Sequence, residues 1–393
     1  MDIKFSNYAS YLKDSAIRNK LFDNPEIISF AAGKPDESIF PTDELLTLAE
    51  KIIKEEGGDA FQYTSSEGLP ELRKFIVSQR MKACQVNTSP DSIALTSGSQ
   101  EGIELSAKIF INENDTIICE RPSYTGAFGA FTPYKPNYIT IPMDENGMIM
   151  EELEAVLNKN NNAKMIYTIP DSQNPTGITM SDERRKRLAE LASKYRIPVI
   201  EDSPYGDLVY EGKRHPAVKC FDKEGWVVML GSFSKIFCPG LRLGWICAND
   251  KILKKYILAK QSSNLQCGTF DQYIAANFLA TYDLNKHINN IKNIYRKRRD
   301  LTIECIKEFF PKEIGYTKPS GGFFVWVELK KSIDTSELLI EAAKDSKVAF
   351  VPGKFFFANE DYNNFLRLSY SFVNERKIRE GLLRLGKLLN KKY

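Results

Sequence analysis

Residues 227–235 are Val-Val-Met-Leu-Gly-Ser-Phe-Ser-Lys, an apolar run followed by two serines and a lysine. A short apolar run that ends at a glycine is typical of a strand buried in a parallel sheet. Because α/β folds bind ligands beyond the carboxyl ends of their strands, Lys235 is expected to face a crevice. Partial burial beside other cations lowers the pKa of a lysine, and the neutral amine forms Schiff bases. A lone Ser-x-Ser-Lys is more often an exposed lysine beside serines, so the other motifs decide between these interpretations.

Similar apolar runs recur between about residues 92 and 248. They are Ile93–Leu95, Thr116–Cys119, Met165–Tyr167, Val199–Ile200 and Gly244–Cys247. Helical patterns lie between several of them, for example over Asp182–Tyr195, and an amphipathic helix is predicted from Thr42. Alternating strands and helices predict an α/β fold, a mostly parallel sheet covered by helices on both faces.

The pattern changes after about residue 275, where a long helix is predicted through Arg299. A strand near 322–327, a helix near 335–343, a strand at 365–370 and a terminal helix follow. This order predicts a smaller α+β domain. The basic run Arg296–Arg299 lies inside a helical pattern and is interpreted as a solvated face. We therefore expect a large domain (41–275) and a small domain (276–393), preceded by an N-terminal arm (1–40).

Composition excludes several classes of protein. The 393 residues are 42% hydrophobic and 27% charged, as in ordinary globular proteins, and the net charge of +3 does not indicate a nucleic-acid partner. Seven cysteines without Cys-x-x-Cys spacing and only two histidines give no sign of a metal site or a disulfide framework. No apolar run is long enough to span a membrane. We expect a cytoplasmic protein with neither a metal nor a membrane partner.

Two further motifs suit an anionic ligand. Ser97-Gly98-Ser99-Gln100 lies between the Ile93 strand and a helix, where free backbone amides and the helix dipole favour a phosphate. The hydroxyls of Ser232 and Ser234 and the guanidinium of Arg242 would complete a phosphate site. Alone, a Gly/Ser stretch of this kind is more often only a turn.

Two strand ends carry groups that suit an aromatic ring. Asp202, at the end of the Val199 strand, can pair with a protonated ring nitrogen, and the Tyr205 hydroxyl can reach a ring oxygen. Asn174, after the Met165 strand, can donate to an anionic oxygen. Each has a simpler interpretation when seen alone, as a helix cap, a packed tyrosine or a turn.

Taken together and in this order, the motifs resemble the class I/II aminotransferases, enzymes of fold type I that use pyridoxal 5'-phosphate (PLP). The resemblance covers nearly the whole chain. The matching motifs are Gly33-Lys34-Pro35, Tyr63, Ser97-Gly98-Ser99-Gln100, Pro122-Ser123-Tyr124, Asn174-Pro175-Thr176-Gly177, Asp202, Tyr205, Ser232-Phe233-Ser234-Lys235, Arg242 and Phe365-Leu366-Arg367-Leu368-Ser369. The similarity is greatest to the subgroup of 2-aminoadipate and kynurenine aminotransferases and the catalytic domains of MocR-type regulators.

The resemblance implies a role for each matching residue. Lys235 would hold PLP as a Schiff base, with Asp202 and Tyr205 as further catalytic groups. Residues 41–275 would form the PLP-binding domain, and the N-terminal helix or arm (1–40) would contribute to the small domain and the active site. The residues expected to bind the cofactor are Tyr63, Gly98, Ser99, Gln100, Tyr124, Asn174, Asp202, Tyr205, Ser232, Ser234, Lys235 and Arg242. Those expected to bind the substrate are Arg18, Gly33, Asn174 and Arg367. Tyr63 would reach the phosphate in the neighbouring subunit, which implies a homodimer with shared sites.

The function implied is transfer of an amino group from an L-amino acid to a 2-oxo acid, plausibly 2-oxoglutarate, by a ping-pong cycle (EC 2.6.1). Broad specificity of the 2-aminoadipate or aromatic type is expected. One alternative is a PLP-dependent cysteine-conjugate β-lyase, which shares the cofactor site. A ligand-sensing transcription regulator is a poorer match, since only about 30 residues precede Gly33.

Overall fold

The computed structural model describes residues 3–12, 24–160 and 162–393. Its α-helices are α1 Asn7–Ser10, α2 Thr42–Glu55, α3 Pro70–Phe75, α4 Ser99–Phe110, α5 Thr125–Phe131, α6 Met150–Lys159, α7 Asp182–Tyr195, α8 Asp250–Gln261, α9 Thr269–Thr281, α10 Leu284–Phe309, α11 Thr335–Glu341 and α12 Glu375–Asn390. Its strands are β1 Ile28–Ser29, β2 Ile93–Thr96, β3 Thr116–Arg121, β4 Asn137–Asp144, β5 Gly147–Met148, β6 Ala163–Thr168, β7 Val199–Ser203, β8 Val227–Ser232, β9 Gly244–Cys247, β10 Gly315–Tyr316, β11 Phe324–Glu328, β12 Val348–Ala349, β13 Val351–Pro352 and β14 Phe365–Ser369.

Eight strands form the large sheet, in the order β2-β9-β8-β7-β6-β3-β4-β5. The pairs β8-β7, β7-β6, β6-β3 and β3-β4 are parallel, whereas β9 runs against both of its neighbours and β5 runs against β4. The predicted α/β class and mostly parallel sheet are confirmed. Strand β4 was not predicted, because only one of its eight side chains is buried and its apolar signal is weak.

Helices cover both faces of this sheet because its strand residues alternate between them. Ile200 and Val228 pack with Ile103 of α4 on one face. Val199 packs with Leu188 of α7 on the other. Burying each of these side chains stabilises the fold by roughly 1.5–3 kcal/mol. Because side chains alternate between the two faces of a strand, both faces of the sheet are apolar, and this is the main reason for the layered fold.

The second sheet is antiparallel, in the order β10-β11-β14-β13. The N-terminal arm joins this part of the chain, since β1 pairs in parallel with β12. The long helix expected through Arg299 is two helices, α9 and α10, and the carboxylate of Asp283 caps the second by accepting from Asn285 N. The division into residues 1–40, 41–275 and 276–393 stays a prediction.

The interpretation of the basic run in α10 as a solvated face is wrong for two of its arginines. Arg298 is buried and pairs with Asp36 of the N-terminal arm. Arg299 is also buried and pairs with Glu211. Both carboxylates lie far away in sequence, so a helical charge pattern cannot reveal that these guanidinium groups are enclosed.

Over the described ranges, no helix is both long and apolar enough to cross a membrane. The same residues contain no group of three or more His, Cys, Asp or Glu side chains arranged to hold a metal ion. All seven cysteines have free thiols, and six of them are buried.

Candidate active site

A cavity of about 1030 Å³ opens where the carboxyl ends of the parallel strands meet the small sheet. Twelve of the residues predicted from the sequence line it. They are Gly33, Ser99, Gln100, Tyr124, Asn174, Asp202, Tyr205, Ser232, Ser234, Lys235, Arg242 and Arg367. The fold thus brings together side chains from the N-terminal arm, the large sheet and the small sheet.

Lys235 follows β8 and is half-buried in this cavity. Its Nζ donates to the backbone oxygen of Gly33 at 2.9 Å. Burial lowers the pKa of Lys235 to about 8, and the nearby positive charges of Arg242 and Arg367 add to that effect. A neutral amine, the form that attacks carbonyl carbons, is therefore accessible near neutral pH.

Asp202 lies in β7 and is only 2% exposed. Its Oδ2 accepts from the Tyr167 hydroxyl at 2.8 Å, but its buried Oδ1 has no hydrogen-bond partner in the structure. Burial raises the pKa of Asp202 to about 6, an effect opposed by the hydroxyls of Tyr167 and Ser99 and by the charge of Lys235. A buried carboxylate oxygen without a partner is costly, so Oδ1 suits a donor supplied by a ligand.

The groups that suit a phosphate lie together at the start of α4. Gly98 has φ +78°, and a Cβ there would lie 2.8 Å from Nη2 of Arg242, so a glycine lets the guanidinium approach the backbone. Arg242 Nη2 donates to Ser97 O at 3.0 Å. The Ser232 hydroxyl accepts from the backbone N–H of Ser234 at 3.1 Å. Two hydroxyls, a guanidinium and a helix N-terminus thus line one end of the cavity.

Two tyrosines line the cavity between its ends. The Tyr124 hydroxyl donates to Gln100 Oε1 at 3.4 Å, and Gln100 in turn donates to Gly126 O at 2.8 Å. Tyr205 is buried with its ring edge-on to that of Phe324, and burial raises its pKa, so its hydroxyl stays protonated.

Arg367 lies in β14 and is the residue of this strand that lines the cavity. It is 1% exposed. Its Nη1 donates to Asn174 Oδ1 at 2.8 Å and its Nη2 to Ala31 O at 2.6 Å. The guanidinium also lies 4.2 Å from the ring centroid of Phe324. Among the described residues it has no carboxylate partner within 4 Å, which leaves its charge available to an anion.

Two predicted residues in the described part of the chain do not line the cavity. Gly98 lies beside it, against Arg242. Tyr63 is 78% exposed and lies outside the cavity. Arg18 falls outside the described residues.

Sequence reasoning missed several residues of the site. Tyr167 belongs to a predicted strand, and the pairing of β6 with β7 would have placed it near Asp202 had the register been known. Phe324 lies in a predicted strand, and nothing in the local sequence indicates that its ring lines the site. Tyr8 and Tyr11, which also line the cavity, are spaced as one face of a helix, but nothing in the sequence shows what that face covers.

These donors and acceptors fit PLP. The unpartnered Asp202 Oδ1 suits a protonated ring nitrogen, the groups around Arg242 suit a phosphate dianion, and the neutral form of Lys235 suits an aldehyde. Tyr124 also lines the cavity, and an aromatic ring can stack on a pyridine ring.

The model of the family "Aminotransferase class I and II" matches residues 25–385. The chain is 40% identical over 391 residues to aromatic-amino-acid aminotransferase 1 of Thermococcus litoralis, covering 98% of this chain and 94% of that one. It is 35% identical to the 2-aminoadipate transaminase of Thermus thermophilus, over 98% and 96% of the two chains. The crystal structure of Pyrococcus horikoshii kynurenine aminotransferase in complex with PMP superposes with a TM-score of 0.94 at 38% identity, over 99% and 97%. The chain therefore belongs to the class I and II aminotransferases, and it is a PLP-dependent aminotransferase that acts on amino acid and 2-oxo acid substrates.

Proposed function

We propose that the cavity residues hold PLP in the way that their donors and acceptors suggest. Lys235 binds it covalently, and Asp202 Oδ1 accepts from the ring nitrogen. Gly98, Ser99, Gln100, Ser232, Ser234 and Arg242 bind its phosphate. Tyr124 lies against the ring, and Asn174 and Tyr205 bind the ring oxygen. The observation that carries this proposal is the buried, unpartnered Oδ1 of Asp202 in the same cavity as a lysine of lowered pKa.

The same residues account for proton transfer. When bound, PLP supplies an electron sink for the pair released from the Cα–H bond of the amino acid. The amino group of the substrate would displace Lys235 from the carbonyl carbon of the cofactor, and the freed Nζ would take the proton from Cα and return it to that carbon, which its lowered pKa allows near neutral pH. Asp202 keeps the ring nitrogen protonated, and Arg367 holds the α-carboxylate beside Asn174 and Gly33. Hydrolysis by a water molecule would release the 2-oxo acid and leave the amino group on the cofactor, from which a second 2-oxo acid would take it.

For the amino donor we propose large side chains of the aromatic or 2-aminoadipate type, with 2-oxoglutarate as acceptor. The cavity wall carries the aromatic side chains of Tyr8, Tyr11, Phe128, Phe324 and Phe355. Aromatic walls favour aromatic and long apolar substrates through buried area and ring contacts. The names of the Thermococcus and Thermus relatives support the same two substrate classes.

Profiling of amino donors against 2-oxoglutarate, with each half-reaction followed by cofactor absorbance, tests this proposal. Tyrosine, phenylalanine, kynurenine and 2-aminoadipate should convert the bound cofactor faster than alanine or glycine. A preference for the small amino acids would refute the substrate class. A parallel reaction without any oxo acid measures pyruvate and ammonia from cysteine conjugates, and their formation at comparable rates would show β-lyase activity.

We further propose a homodimer in which Tyr63 reaches the phosphate in the partner's site. Tyr63 is the most exposed tyrosine of the described residues, and the neighbouring Phe61 is also strongly exposed. The ring of Phe61 stacks on that of Phe270, with centroids 5.4 Å apart. Exposed aromatic side chains of this kind are typical of interfaces.

Mixed dimers test the shared site. Subunits carrying Tyr63→Ala and subunits carrying Lys235→Ala are combined after mild dissociation. If Tyr63 acts across the interface, each hybrid contains one site with both residues intact, and activity returns. If Tyr63 serves its own subunit, or the chain is monomeric, the mixture stays as inactive as its components.

We also propose a cytoplasmic location, supported by the free thiols of all seven cysteines, which suit a reducing compartment. Cell fractionation with an antibody against the protein tests it, and recovery outside the cytoplasm would refute it.

A further inference from the structure

The two carboxylate oxygens of Asp202 have different surroundings. Oδ2 accepts a hydrogen bond from the Tyr167 hydroxyl at 2.8 Å, whereas Oδ1 is buried and has no partner. A carboxylate that is tied at one oxygen cannot rotate freely about its terminal bond. The 2.8 Å hydrogen bond at Oδ2 therefore helps to set the orientation of Oδ1 in the cavity, beside the Ser99 hydroxyl, which also lowers the pKa of Asp202.

The pairing of two parallel strands explains this contact. Tyr167 in β6 pairs with Ile200 in β7. Ile200 and Asp202 point to the same face of the sheet because side chains alternate along a strand. The ring of Tyr167 is long enough to reach two residues further along that face, so its hydroxyl arrives at the carboxylate.

Tyr167 is itself held rigidly. It is fully buried, and the ring of Phe131 packs edge-on against it, with centroids 5.6 Å apart and planes at 80°. Burial and the charge of Asp202 raise the pKa of Tyr167 well above its ordinary value. The hydroxyl therefore keeps its proton and acts only as a donor toward Asp202.

We propose that Tyr167 is a positioning residue, whose hydroxyl holds Asp202 so that Oδ1 faces the ring nitrogen of PLP. This inference rests on the proposed role of Asp202. It adds that the hydrogen bond between Asp202 and the ring nitrogen depends on a tyrosine in the neighbouring strand. This tyrosine touches neither the substrate nor the transferred proton.

The test compares Tyr167→Phe with Tyr256→Phe in the holoenzyme. Tyr256 is a matched control, since it is also buried and its hydroxyl shares a 2.6 Å hydrogen bond, but with Ser106 and not with Asp202. Both variants lose one buried hydroxyl. Tyr167→Phe should lower kcat by about 10-fold or more, as for loss of a hydrogen bond to a charged group, with little change in KM.

Two readouts do not depend on turnover. PLP should be lost from Tyr167→Phe faster during dialysis, as followed by absorbance, and the pH at which the bound cofactor's absorbance changes on acidification should move upward. The upward shift is expected because the Tyr167 hydrogen bond lowers the pKa of Asp202. Tyr256→Phe should match the wild type in both. Thermal unfolding of the two variants shows whether a loss of PLP or of activity comes only from a less stable fold.

Phe131→Leu provides a second route if Tyr167→Phe does not fold. It keeps the hydroxyl but removes the ring that fixes Tyr167, and a smaller change of the same sign is expected in both readouts. If Tyr167→Phe and Phe131→Leu both behave like Tyr256→Phe, the positioning role is refuted.

Asp202→Asn separates this inference from the function on which it rests. If Asp202→Asn loses at least ~100-fold in rate while Tyr167→Phe keeps the wild-type rate, only the positioning role of Tyr167 is refuted. An unchanged rate with Asp202→Asn would instead overturn the proposed role of Asp202.

Discussion

Arg367 donates from Nη1 to Asn174 Oδ1 at 2.8 Å, although 193 residues separate them. The bond joins β14 of the small sheet to the loop after β6 of the large sheet, at the floor of the cavity. Because Oδ1 of Asn174 accepts from Arg367, the amide N–H groups of Asn174 remain free to donate. A substrate carboxylate on Arg367 and a cofactor oxygen on Asn174 would therefore be held by one connected pair.

Arg367→Ala should raise KM for every amino acid tested. Its guanidinium is buried without a carboxylate partner in the described part of the chain, so we expect a loss of ~2–5 kcal/mol in substrate binding, typical of removing one partner from a buried charged contact. Steady-state constants for at least three donors measure it. Arg379→Ala, at an exposed arginine of α12, is the control and should change little. A loss confined to one class of side chain would contradict the assignment to the α-carboxylate.

Lys235→Ala should abolish transamination and still bind PLP without a covalent bond, because the substitution leaves the residues proposed to bind the phosphate in place. Borohydride reduction followed by mass spectrometry should add cofactor mass to the wild type and not to the variant. Lys254→Ala, at an exposed lysine of α8, serves as the control for both measurements. Turnover near the wild-type rate in Lys235→Ala would refute the mechanism.

Capture of PLP by the cofactor-free enzyme should accelerate as pH rises through about 8. The pKa of Lys235 is lowered from 10.5 to about 8, first by burial and then by Arg242 and Arg367. The folded chain thus releases this proton at a lower pH than the unfolded chain, so this group adds stability as pH rises between the two values. Rates of absorbance change on mixing give the profile. A half-maximal rate near the ordinary lysine pKa would contradict it.

Gly98→Ala should weaken PLP binding by about 10-fold or more. At φ +78° and ψ 168°, a region adopted essentially only by glycine, an alanine costs roughly 1–3 kcal/mol. Its Cβ would also lie 2.8 Å from Nη2 of Arg242. Gly240→Ala is the matched control, since no atom lies within 4 Å of a Cβ there and its φ is not positive. Dissociation constants from fluorescence titration decide between them, and equal effects would mean that the closeness of Gly98 to Arg242 is unimportant.

Arg18→Ala should harm dicarboxylic substrates such as 2-aminoadipate, glutamate and 2-oxoglutarate while largely sparing tyrosine, phenylalanine and leucine. Arg18 lies outside the described residues, and the expectation comes from the resemblance, in which an N-terminal helix packs over the site and can present a guanidinium to a distal carboxylate. Steady-state constants for glutamate and leucine measure it. Equal losses on both, or none on either, would remove Arg18 from the substrate site.

The amino-acid sequence by itself determined every strand of the large sheet except β4 and β5, and most of the chemistry at the strand ends. Apolar runs such as Val227–Leu230 are local signals, and hydrophobic burial makes them strands wherever the chain folds around them. Lys235, Asp202 and Ser99 follow such runs or precede a helix, so the edge of the sheet that they share could be predicted without coordinates.

Contacts between distant segments were decided only by the tertiary structure. The hydrogen bonds of Tyr167 to Asp202 and of Arg367 to Asn174 depend on strand register and on how the two sheets meet. The burial of Arg298 depends on Asp36 in the N-terminal arm, and the Gly33 carbonyl reaches Lys235 in the same way. A local pattern reports what a residue can do, whereas its partner and its burial are set by which other segment packs against it.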